Sequence, residues 1–363
     1  MEVGIVLIMQ SFGYEGVSDA QVYDEDTAMA LEAEEQGFDH IWVVEHHFED
    51  YALCPDNFVY LAYLAARTSR IRLATGAAIL PWNTQPIRVA EKAAMLDHLS
   101  DGRFMLGLGR GLSRKEFEGF GVDMGESRAR FDESAPMIIE ALESGFMEDH
   151  DGEHFKQQRT ELRPRPTRSF QGRTWQVAMS SESALQAASL GLPMMSFSIK
   201  DREQEKAEYE DYRKAFKEAN GGAEPPAPMQ ADLMYCDPDP DRARELGERH
   251  CAGYLASVMR HYEMMGDHFA KVGGYEAYRQ GAEIMKEVGL EEFTKGYTEL
   301  QSFGTPDQIL RKIEERRKNF GEFGVLGMFR YAGLPFKDAQ RSQQLFSQEV
   351  LPVLKSWESQ DAA

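Results

Sequence analysis

Short apolar runs alternate with longer amphipathic stretches along the chain. The first run, residues 3–8, is almost continuously apolar, which is typical of a strand buried on both faces. Ser18 then stands three residues before Gln21 with the spacing of a capping box, and Gly37 lies where a glycine commonly ends a helix. The same alternation recurs to the end of the sequence. The predicted strands are residues 3–8, 41–44, 71–80, 103–108, 174–178, 193–196, 229–236 and 325–329.

Helical stretches follow these strands, the clearest being residues 57–67, 86–99, 181–190, 202–220 and 337–355. Eight strand–helix units predict a closed (β/α)8 TIM barrel, which is an α/β fold. We expect residues 1–363 to form a single domain of this kind. Two insertions, at about residues 149–171 and 261–298, exceed the minimal unit. At the C-terminal face of a barrel such insertions often act as lids, and an inert surface helix pair is the alternative.

Composition narrows the class of protein. Hydrophobic residues make up 42% and aromatic residues 11% of the chain, which argues against disorder. The net charge of −21 lets no basic patch dominate, so we expect neither nucleic acid nor a membrane surface as partner. The first apolar run lacks a preceding basic segment and no run could span a bilayer, which predicts a cytoplasmic protein. Cys54, Cys236 and Cys251 lack the CxxC spacing typical of cysteine-based zinc sites and form no obvious disulfide framework.

Chemically useful side chains follow several predicted strands. Glu45-His46-His47 comes directly after residues 41–44, which in a barrel is the C-terminal mouth, where active sites lie. A histidine there can accept or donate a proton near neutral pH, and this favours a catalytic role over a pair of structural histidines. The pair lacks the HExxH spacing and adjacent side chains diverge, so we predict no metal site.

A glycine cluster at residues 107–111 lies between the fourth predicted strand and a helix. Its third glycine comes too early for the dinucleotide fingerprint, and the cluster follows the fourth strand rather than the first, which disfavours a Rossmann site. Gly109 can instead let a flat ligand approach the backbone. Arg110, at the same strand end, is suited to binding phosphate.

Two further strand ends point the same way. Ser180 and Ser183 begin a helix, where free N–H groups and hydroxyls either hold phosphate or simply cap the helix. Gly76 and Ala77 are small and leave room for a flat ligand, although tight helix–sheet packing would need the same residues. Together with Arg110, these positions favour a cofactor that carries phosphate.

The chain resembles the bacterial luciferase-like flavin monooxygenases, and is similar in particular to the bacterial luciferase α subunit. The likeness runs nearly from end to end. Its most specific stretches are residues 37–39 through 45–48, 96–104, 110–112 through 120–128, 191–194 and 350–352. Each stretch is modest alone, and their common order makes the resemblance specific.

The resemblance implies a (β/α)8 barrel that uses reduced FMN supplied by a separate flavin reductase. Oxygen would add to the flavin at C4a, and the resulting hydroperoxide would oxidise a small or medium hydrophobic substrate. His46 matches the family's catalytic histidine and His47 its neighbour, while Glu116 matches an acidic residue near the flavin. The insertion at residues 261–298 matches a mobile lid.

The cofactor-binding positions carry over in the same way. Gly76 and Ala77 match a pair joined by a non-prolyl cis peptide bond that lies against the flavin ring. The positions that hold the flavin phosphate match Arg110, Arg128, Ser180 and Ser183.

The sequence also departs from the luciferase pattern. Gly109 replaces a cysteine beside the flavin, Met179 replaces a glutamate next to the phosphate, and residues 82–85 are longer by one residue and lack a histidine. These changes reshape the substrate side and leave flavin binding intact. A long-chain aldehyde substrate and light emission therefore do not follow from the resemblance.

Two other functions stay open. The family includes deazaflavin-dependent enzymes, so a deazaflavin- or FMN-dependent oxidoreductase without oxygen activation is the main alternative. A non-catalytic flavin-binding protein, like the luciferase β subunit, is disfavoured by His46.

Because dimers in the family pack helices of the early units, we predict a homodimer. On the early helix the apolar residues are Phe58, Tyr60, Leu61 and Leu64, for which core packing is the alternative.

Overall fold

The computed structural model describes residues 1–272 and 275–357. Eight parallel strands each pair with the next along the chain, and the last pairs with the first, as Val325 lies opposite Val3. The strands are β1 Val3–Leu7, β2 His40–Val43, β3 Arg72–Thr75, β4 Phe104–Gly109, β5 Thr174–Val177, β6 Met194–Phe197, β7 Met229–Cys236 and β8 Gly324–Met328. The predicted (β/α)8 barrel is confirmed. The single-domain prediction for residues 1–363 also covers 273–274 and 358–363, which lie outside the described residues.

Helices surround the barrel and fill the connections between its strands. In chain order they are α1 Asp19–Gln36, α2 Asn57–Ala65, α3 Pro86–Leu99, α4 Arg114–Phe120, α5 Ser127–Ser144, α6 Ser181–Ser189, α7 Arg202–Ala219, α8 Pro240–His261, α9 His268–Lys271, α10 Glu276–Val288, α11 Leu290–Leu300, α12 Pro306–Phe320, α13 Phe336–Glu349 and α14 Leu351–Ser356. The Ser18 side chain caps α1 by accepting from the Gln21 N–H, and Gly37 ends the same helix in the left-handed conformation, as the spacing predicts.

The interior of the barrel is packed with side chains. Trp42 and Trp175 meet edge to face with ring centroids 5.7 Å apart, and Trp42 Nε1 donates to His40 Nδ1 at 3.1 Å. A Cβ at Gly4 would lie 1.9 Å from His40 Nδ1, so only glycine leaves room for this imidazole. A filled barrel carries no ligand through its centre, and chemistry is left to the loops at its mouth.

Two predicted elements differ in detail. The strand predicted at residues 71–80 is interrupted by a cis peptide bond between Gly76 and Ala77, after which Ala78–Ile79 pairs with β4. The closing helix predicted at 337–355 divides at Val350 into α13 and α14.

The two predicted insertions contain regular structure. Within 149–171, His150–Asp151 pairs antiparallel with Lys156–Gln157, and Thr160–Glu161 pairs with Phe146–Met147. Within 261–298 the described residues form α9, α10 and most of α11. Residues 273–274 of this insertion lie outside the described residues. One further short strand, Ser302–Gly304, pairs with β7.

Helix α2 shows which of its apolar residues belong to the core. Phe58, Tyr60, Leu61 and Leu64 are all buried against the barrel, so assigning them to a subunit interface is wrong. They recur on the face that covers β3, where burial of apolar surface stabilises the fold. The exposed apolar residues on this side of the molecule are Val59 and Tyr63 of α2, and Met95 and Leu99 of α3.

Among the described residues, the helices are too short or too polar for any of them to traverse a lipid bilayer.

Candidate active site

The sequence-predicted site residues lie at the C-terminal mouth of the barrel, with one partial exception. They lie at or just after the ends of β2 (His46, His47), β3 (Gly76, Ala77), β4 (Gly109, Arg110) and β5 (Met179, Ser180, Ser183). Arg128 comes instead from the first turn of α5. The neighbouring strands β2, β3, β4 and β5 are hydrogen-bonded side by side, so these strand ends form one continuous edge.

Glu116 of α4 organises the loop that follows β2. Its Oε1 lies 3.1 Å from His46 Nδ1 and accepts from the His47 backbone N–H at 2.7 Å. One buried carboxylate oxygen therefore fixes both the direction of the His46 ring and the course of the backbone beside it. The arrangement assigns the proton of neutral His46 to Nδ1 and leaves a lone pair on Nε2.

His261, at the end of α8, lies on the other side of Glu116. Its Nε2 is 3.6 Å from Glu116 Oε1, and its Nδ1 is 2.8 Å from Glu49 Oε2. The other carboxylate oxygen of Glu49 pairs with Lys115. Burial by itself raises the pKa of the Glu116 carboxyl, but His46, His261 and the His47 N–H outweigh burial and hold the pKa below its ordinary value. Glu116 is therefore ionised at neutral pH.

Burial and repulsion from the neighbouring His46 lower the pKa of His261 to about 4, against the opposing effect of Glu116 and Glu49. His261 is thus uncharged at neutral pH.

Aromatic rings surround the His46 side chain. Tyr262 OH lies 3.4 Å from His46 Nε2, and the Tyr51 ring meets His46 edge to face with centroids 4.9 Å apart. Tyr51 also stacks on His261 at 4.4 Å. Burial, with Glu116 nearby, raises the pKa of the Tyr262 hydroxyl well above its usual value, so the hydroxyl stays protonated. The rings restrict water around His46 and leave Tyr262 as its partner on the Nε2 side.

Glu45 connects β2 to the segment after β3. Its Oε1 accepts from Trp82 Nε1 at 2.8 Å, and its Oε2 accepts from the Ile79 N–H at 3.3 Å. The His47 ring packs edge to face against Trp82 and Phe120. Glu45 therefore has structural partners in Trp82 and the Ile79 N–H. His47 Nε2 is buried without a hydrogen-bond partner, 3.5 Å from Glu45 Oε1, whereas His46 Nε2 faces the Tyr262 hydroxyl.

Small residues form a flat surface between the β3 and β4 ends. A Cβ at Gly109 would lie 2.8 Å from Ile79 Cδ1 and 2.9 Å from Ala77 Cβ, so a cysteine could not replace this glycine without displacement. Asn57, fully buried at the start of α2, donates from Nδ2 to the Val43 carbonyl at 3.1 Å and to the Ala77 carbonyl at 3.0 Å. The Asn57 side chain therefore links the end of β2 to the flat surface after β3 through two hydrogen bonds.

Arg110 has a free buried donor. Its Nη1 is buried and without a hydrogen-bond partner, while its guanidinium lies over the Tyr275 ring at 4.2 Å from the centroid. The Tyr275 hydroxyl is 2.8 Å from Ser127 Oγ and 3.2 Å from the Gly111 carbonyl. An unpaired guanidinium N–H at the end of a strand is suited to an anionic ligand such as phosphate.

The first turn of α6 supplies further donors. Ser180 is the N-cap of this helix, and its Oγ lies 3.1 Å from Ser183 Oγ and accepts from the Ser183 N–H at 3.3 Å. Both serines are nearly buried. Arg128 Nη2 pairs with Glu182 Oε2 at 2.8 Å, and Met179 Sδ accepts from the Phe197 N–H at 3.3 Å. Arg110 and the two serines could thus hold a phosphate group, whereas Arg128 would first have to leave Glu182.

Several residues at the mouth escape prediction from their local sequence. His261, Tyr262 and Tyr275 belong to a long insertion without the strand–helix alternation. Asn57 and Glu49 are not part of any recognisable catalytic or binding motif. Asn57 is the one with a usable signal, because a polar residue opening an otherwise apolar helix invites a search for buried backbone acceptors.

The closed barrel, with a histidine cluster, a glycine-rich surface and an arginine with an unpartnered Nη1 at its mouth, has the architecture of a (β/α)8-barrel enzyme. Residues 1–322 match the luciferase-like monooxygenase family, and the chain belongs to that family of flavin-dependent oxidoreductases. The predicted resemblance is confirmed.

Two known proteins illustrate the relationship. The alkanal monooxygenase alpha chain of Photorhabdus luminescens is 28% identical over 326 residues, which cover 89% of each chain. The structure of monooxygenase RslO1 from Streptomyces bottropensis is 29% identical, with a TM-score of 0.80 over 98% of this chain and 100% of that one.

More distant structures share the fold alone. One is the oxygenating constituent of 3,6-diketocamphane monooxygenase from Pseudomonas putida in complex with FMN, with a TM-score of 0.73, 20% identity and 97% and 98% of the two chains covered. Another is an F420-dependent secondary alcohol dehydrogenase in complex with an F420–acetone adduct, with a TM-score of 0.72, 18% identity and 97% and 99% covered. The same barrel therefore serves two flavin-type cofactors.

Proposed function

We propose that the protein is the oxygenating component of a two-component monooxygenase, which uses reduced FMN and O2 to oxidise a small or medium hydrophobic substrate. The observation that carries the proposal is the pairing of two features at one mouth: the unpartnered, buried Arg110 Nη1 beside a glycine surface, and the His46–Glu116 pair. A separate flavin reductase would supply the reduced cofactor, since no convincing nicotinamide-binding motif stands in the sequence.

The residues present fit FMN. Arg110, Ser180 and Ser183 would hold its phosphate, with Arg128 joining after release from Glu182. Gly76, Ala77 and Gly109 would face the ring system, and Met179 would lie beside the phosphate group. The reduced flavin, when bound, supplies the electrons that activate oxygen. The protein supplies position and proton control.

His46 is the proposed base. Its Nδ1–H donates to Glu116, so its Nε2 lone pair can accept a proton from substrate or solvent on the Tyr262 side. Glu116 stabilises the imidazolium that forms, as the carboxylate of a catalytic triad does. His47 is the second candidate, and its backbone N–H, not its ring, donates to Glu116.

A deazaflavin- or FMN-dependent oxidoreductase without oxygen activation is the alternative, and its support is the fold shared with the F420-dependent dehydrogenase. A non-catalytic flavin-binding protein is disfavoured, because flavin binding alone does not require a histidine whose tautomer is fixed by a buried carboxylate. Together with the monooxygenase activity, we propose a cytoplasmic location, a homodimer and a separate flavin reductase as partner.

Anaerobic titration followed by rapid mixing tests the proposal. The protein is titrated with reduced FMN and, separately, with reduced F420, and each complex is then mixed with O2. We expect reduced FMN to bind more tightly, and its oxidation on the protein to occur in two resolved phases. Tighter F420 binding, or oxidation of bound FMN in one phase at the rate of free flavin, would support the alternative instead.

A further inference from the structure

Three separate elements bring potential metal ligands together beside the mouth. His46 follows β2, Glu116 belongs to α4 and His261 ends α8. One ligand atom from each lies within 4.8 Å of the other two. Glu116 Oε1 is 3.1 Å from His46 Nδ1 and 3.6 Å from His261 Nε2. The side chains of Glu116 and His261 are each only 1% exposed, so these two ligands are held in the protein interior rather than on the surface.

Two hydrogen-bond acceptors in the cluster, His261 Nε2 and Glu116 Oε1, face each other without a donor between them. His261 Nδ1 is at hydrogen-bond distance from Glu49, 2.8 Å, so its N–H points to Glu49. The other ring nitrogen, Nε2, then presents a lone pair to a carboxylate oxygen of Glu116. This Nε2 is buried and has no hydrogen-bond partner. A buried lone pair facing a carboxylate is unfavourable unless a cation lies between them.

The spacing suits a tetrahedral ion. Zinc bonds to nitrogen and carboxylate oxygen of about 2.0–2.1 Å place neighbouring ligand atoms roughly 3.3–3.4 Å apart. The two separations from Glu116, 3.1 and 3.6 Å, bracket that value. Small shifts of His46 and His261 would complete the third edge.

The surroundings also match a zinc site. A histidine that binds a metal commonly donates its second N–H to a carboxylate, and His261 does so toward Glu49. The second nitrogen of His46 faces the Tyr262 hydroxyl at 3.4 Å. Each histidine thus has a partner that would fix its ring.

We propose that His46, Glu116 and His261 form a binding site for one divalent cation of the zinc type. Two imidazoles and one carboxylate favour Zn2+ over Mg2+ or Ca2+, which prefer oxygen ligands. Three protein ligands leave a fourth position open for water. On binding, the His46 proton moves from Nδ1 to Nε2, and the resulting Nε2–H donates a hydrogen bond to the Tyr262 hydroxyl. No proton therefore needs to leave the cluster.

Bound Zn2+ joins the β2 loop, α4 and the end of α8, so it stabilises the folded protein. It also occupies the nitrogen through which Glu116 orients His46. If the proposed function is right, the ion therefore inhibits turnover. Binding and stabilisation do not depend on that function, and they are measured without flavin.

Calorimetric titration of chelator-treated, full-length protein with Zn2+ tests the site. We expect one tight equivalent and a melting temperature that rises with free Zn2+. Loss of a partner outside the ligand set typically weakens a metal site roughly 10–100-fold, which is the effect expected for Glu49→Gln. His261→Gln and Glu116→Gln remove ligands and should weaken binding more than about 100-fold. His150→Gln, which breaks a surface histidine–glutamate pair of 2.8 Å, is the matched control and should leave the tight site intact.

A measurement on the unmutated protein covers the case in which a variant fails to fold. Co2+ at this site should give the strong visible absorption of a tetrahedral ion, which added Zn2+ removes. Absence of a tight equivalent of Zn2+, a weak octahedral Co2+ spectrum, or Zn2+ affinity unchanged in both ligand variants would each overturn the proposal. Zn2+ binding without inhibition would keep the metal site and count against His46 as the base.

Discussion

A single oxygen of Glu116 contacts His46 Nδ1, the His47 N–H and, at longer range, His261 Nε2. At the scale of residues, this buried carboxylate fixes the orientation of the His46 ring at the mouth of the barrel. His98, for comparison, lies on the surface of α3 with Nε2 against the Arg165 carbonyl. The chemistry at the mouth therefore depends on one oriented imidazole rather than on the number of histidines present.

His46→Ala should lower product formation per bound flavin by about 10²–10⁴-fold, the usual contribution of a general base. FMN affinity and folding should change little, because the surface proposed to bind flavin lies at the β3 and β4 ends. Turnover and flavin affinity are measured on the same preparation, with His98→Ala as the control. Turnover per bound flavin within about threefold of the unmutated enzyme, far below the range for such a base, would reject His46 and make His47 the next candidate.

Arg110→Ala should weaken FMN binding by about 1.5–3 kcal/mol, the value of a hydrogen bond to a charged group. This corresponds to roughly 10–150-fold in affinity. Fluorescence titration gives the affinity directly, and Arg88→Ala, an exposed arginine on α3 paired with Glu91, is the control. Equal affinity of the Arg110 variant and the unmutated protein would remove Arg110 from the phosphate site.

At the scale of elements, Glu34 of α1 fastens the connection between α2 and β3. Its carboxylate accepts from the backbone N–H groups of Ser69, Arg70 and Ile71 at 2.9–3.0 Å. Burial raises the pKa of this carboxyl, but the three N–H groups and the Ser69 hydroxyl outweigh it and lower the pKa to about 2. The ionised form is therefore the one that stabilises the fold.

Glu34→Gln should lower the free energy of unfolding at pH 7 by about 1–2 kcal/mol, allowing for partial exposure of the carboxylate. Because the folded-state pKa is depressed from 4.5, this stability is present above pH 4.5 and is lost as the pH falls toward 2. Denaturant unfolding at pH 7 and pH 3 should show the difference from the unmutated protein shrinking with acid. Glu35→Gln, at the exposed neighbouring position, serves as control, and a pH-independent difference would contradict the assignment.

The strands were predictable because each lies inside a parallel sheet, where burial on both faces requires a continuous apolar run such as β1. The interruption after β3 was not visible locally, since Thr75 before Gly76 is β-branched and residues 77–80 after it are apolar, as in an uninterrupted strand. The His46 loop was predictable as a strand end. Its coupling to His261 was not, because contacts between α8 and the β2 loop depend on the closed barrel and leave no periodic signal.

At the scale of the whole molecule, helices α2 and α3 present four large apolar side chains to solvent. Val59, Tyr63, Met95 and Leu99 are between 49% and 68% exposed, and the two helices pack side by side. We propose that this apolar surface is a protein–protein contact. Two copies related by a two-fold rotation would each use the same patch, as in an isologous homodimer.

Light scattering should therefore give twice the 41.2 kDa mass of the chain. Val59→Glu combined with Met95→Glu should shift the mass to that of one chain, because two like charges would be buried at the contact. Leu185→Glu, at a position 44% exposed on α6, is the control and should stay dimeric. A single-chain mass for the unmutated protein across working concentrations would refute the dimer.

The contact between the Arg110 guanidinium and the Tyr275 ring has a kinetic consequence. Because Arg110 Nη1 is buried beside this ring, we expect Tyr275 to move before a phosphate reaches it. At high FMN concentration the observed association rate should then reach a plateau set by the departure of Tyr275 rather than rise linearly. Since a cation–π contact contributes about 1–2 kcal/mol, and 1.4 kcal/mol is tenfold in a rate or equilibrium constant, Tyr275→Leu should raise the plateau by roughly tenfold. A linear concentration dependence in the unmutated protein would show that the ring leaves faster than flavin arrives. With a plateau, an aromatic side chain sets the shortest time for which the enzyme stays empty between turnovers, however abundant the reduced flavin.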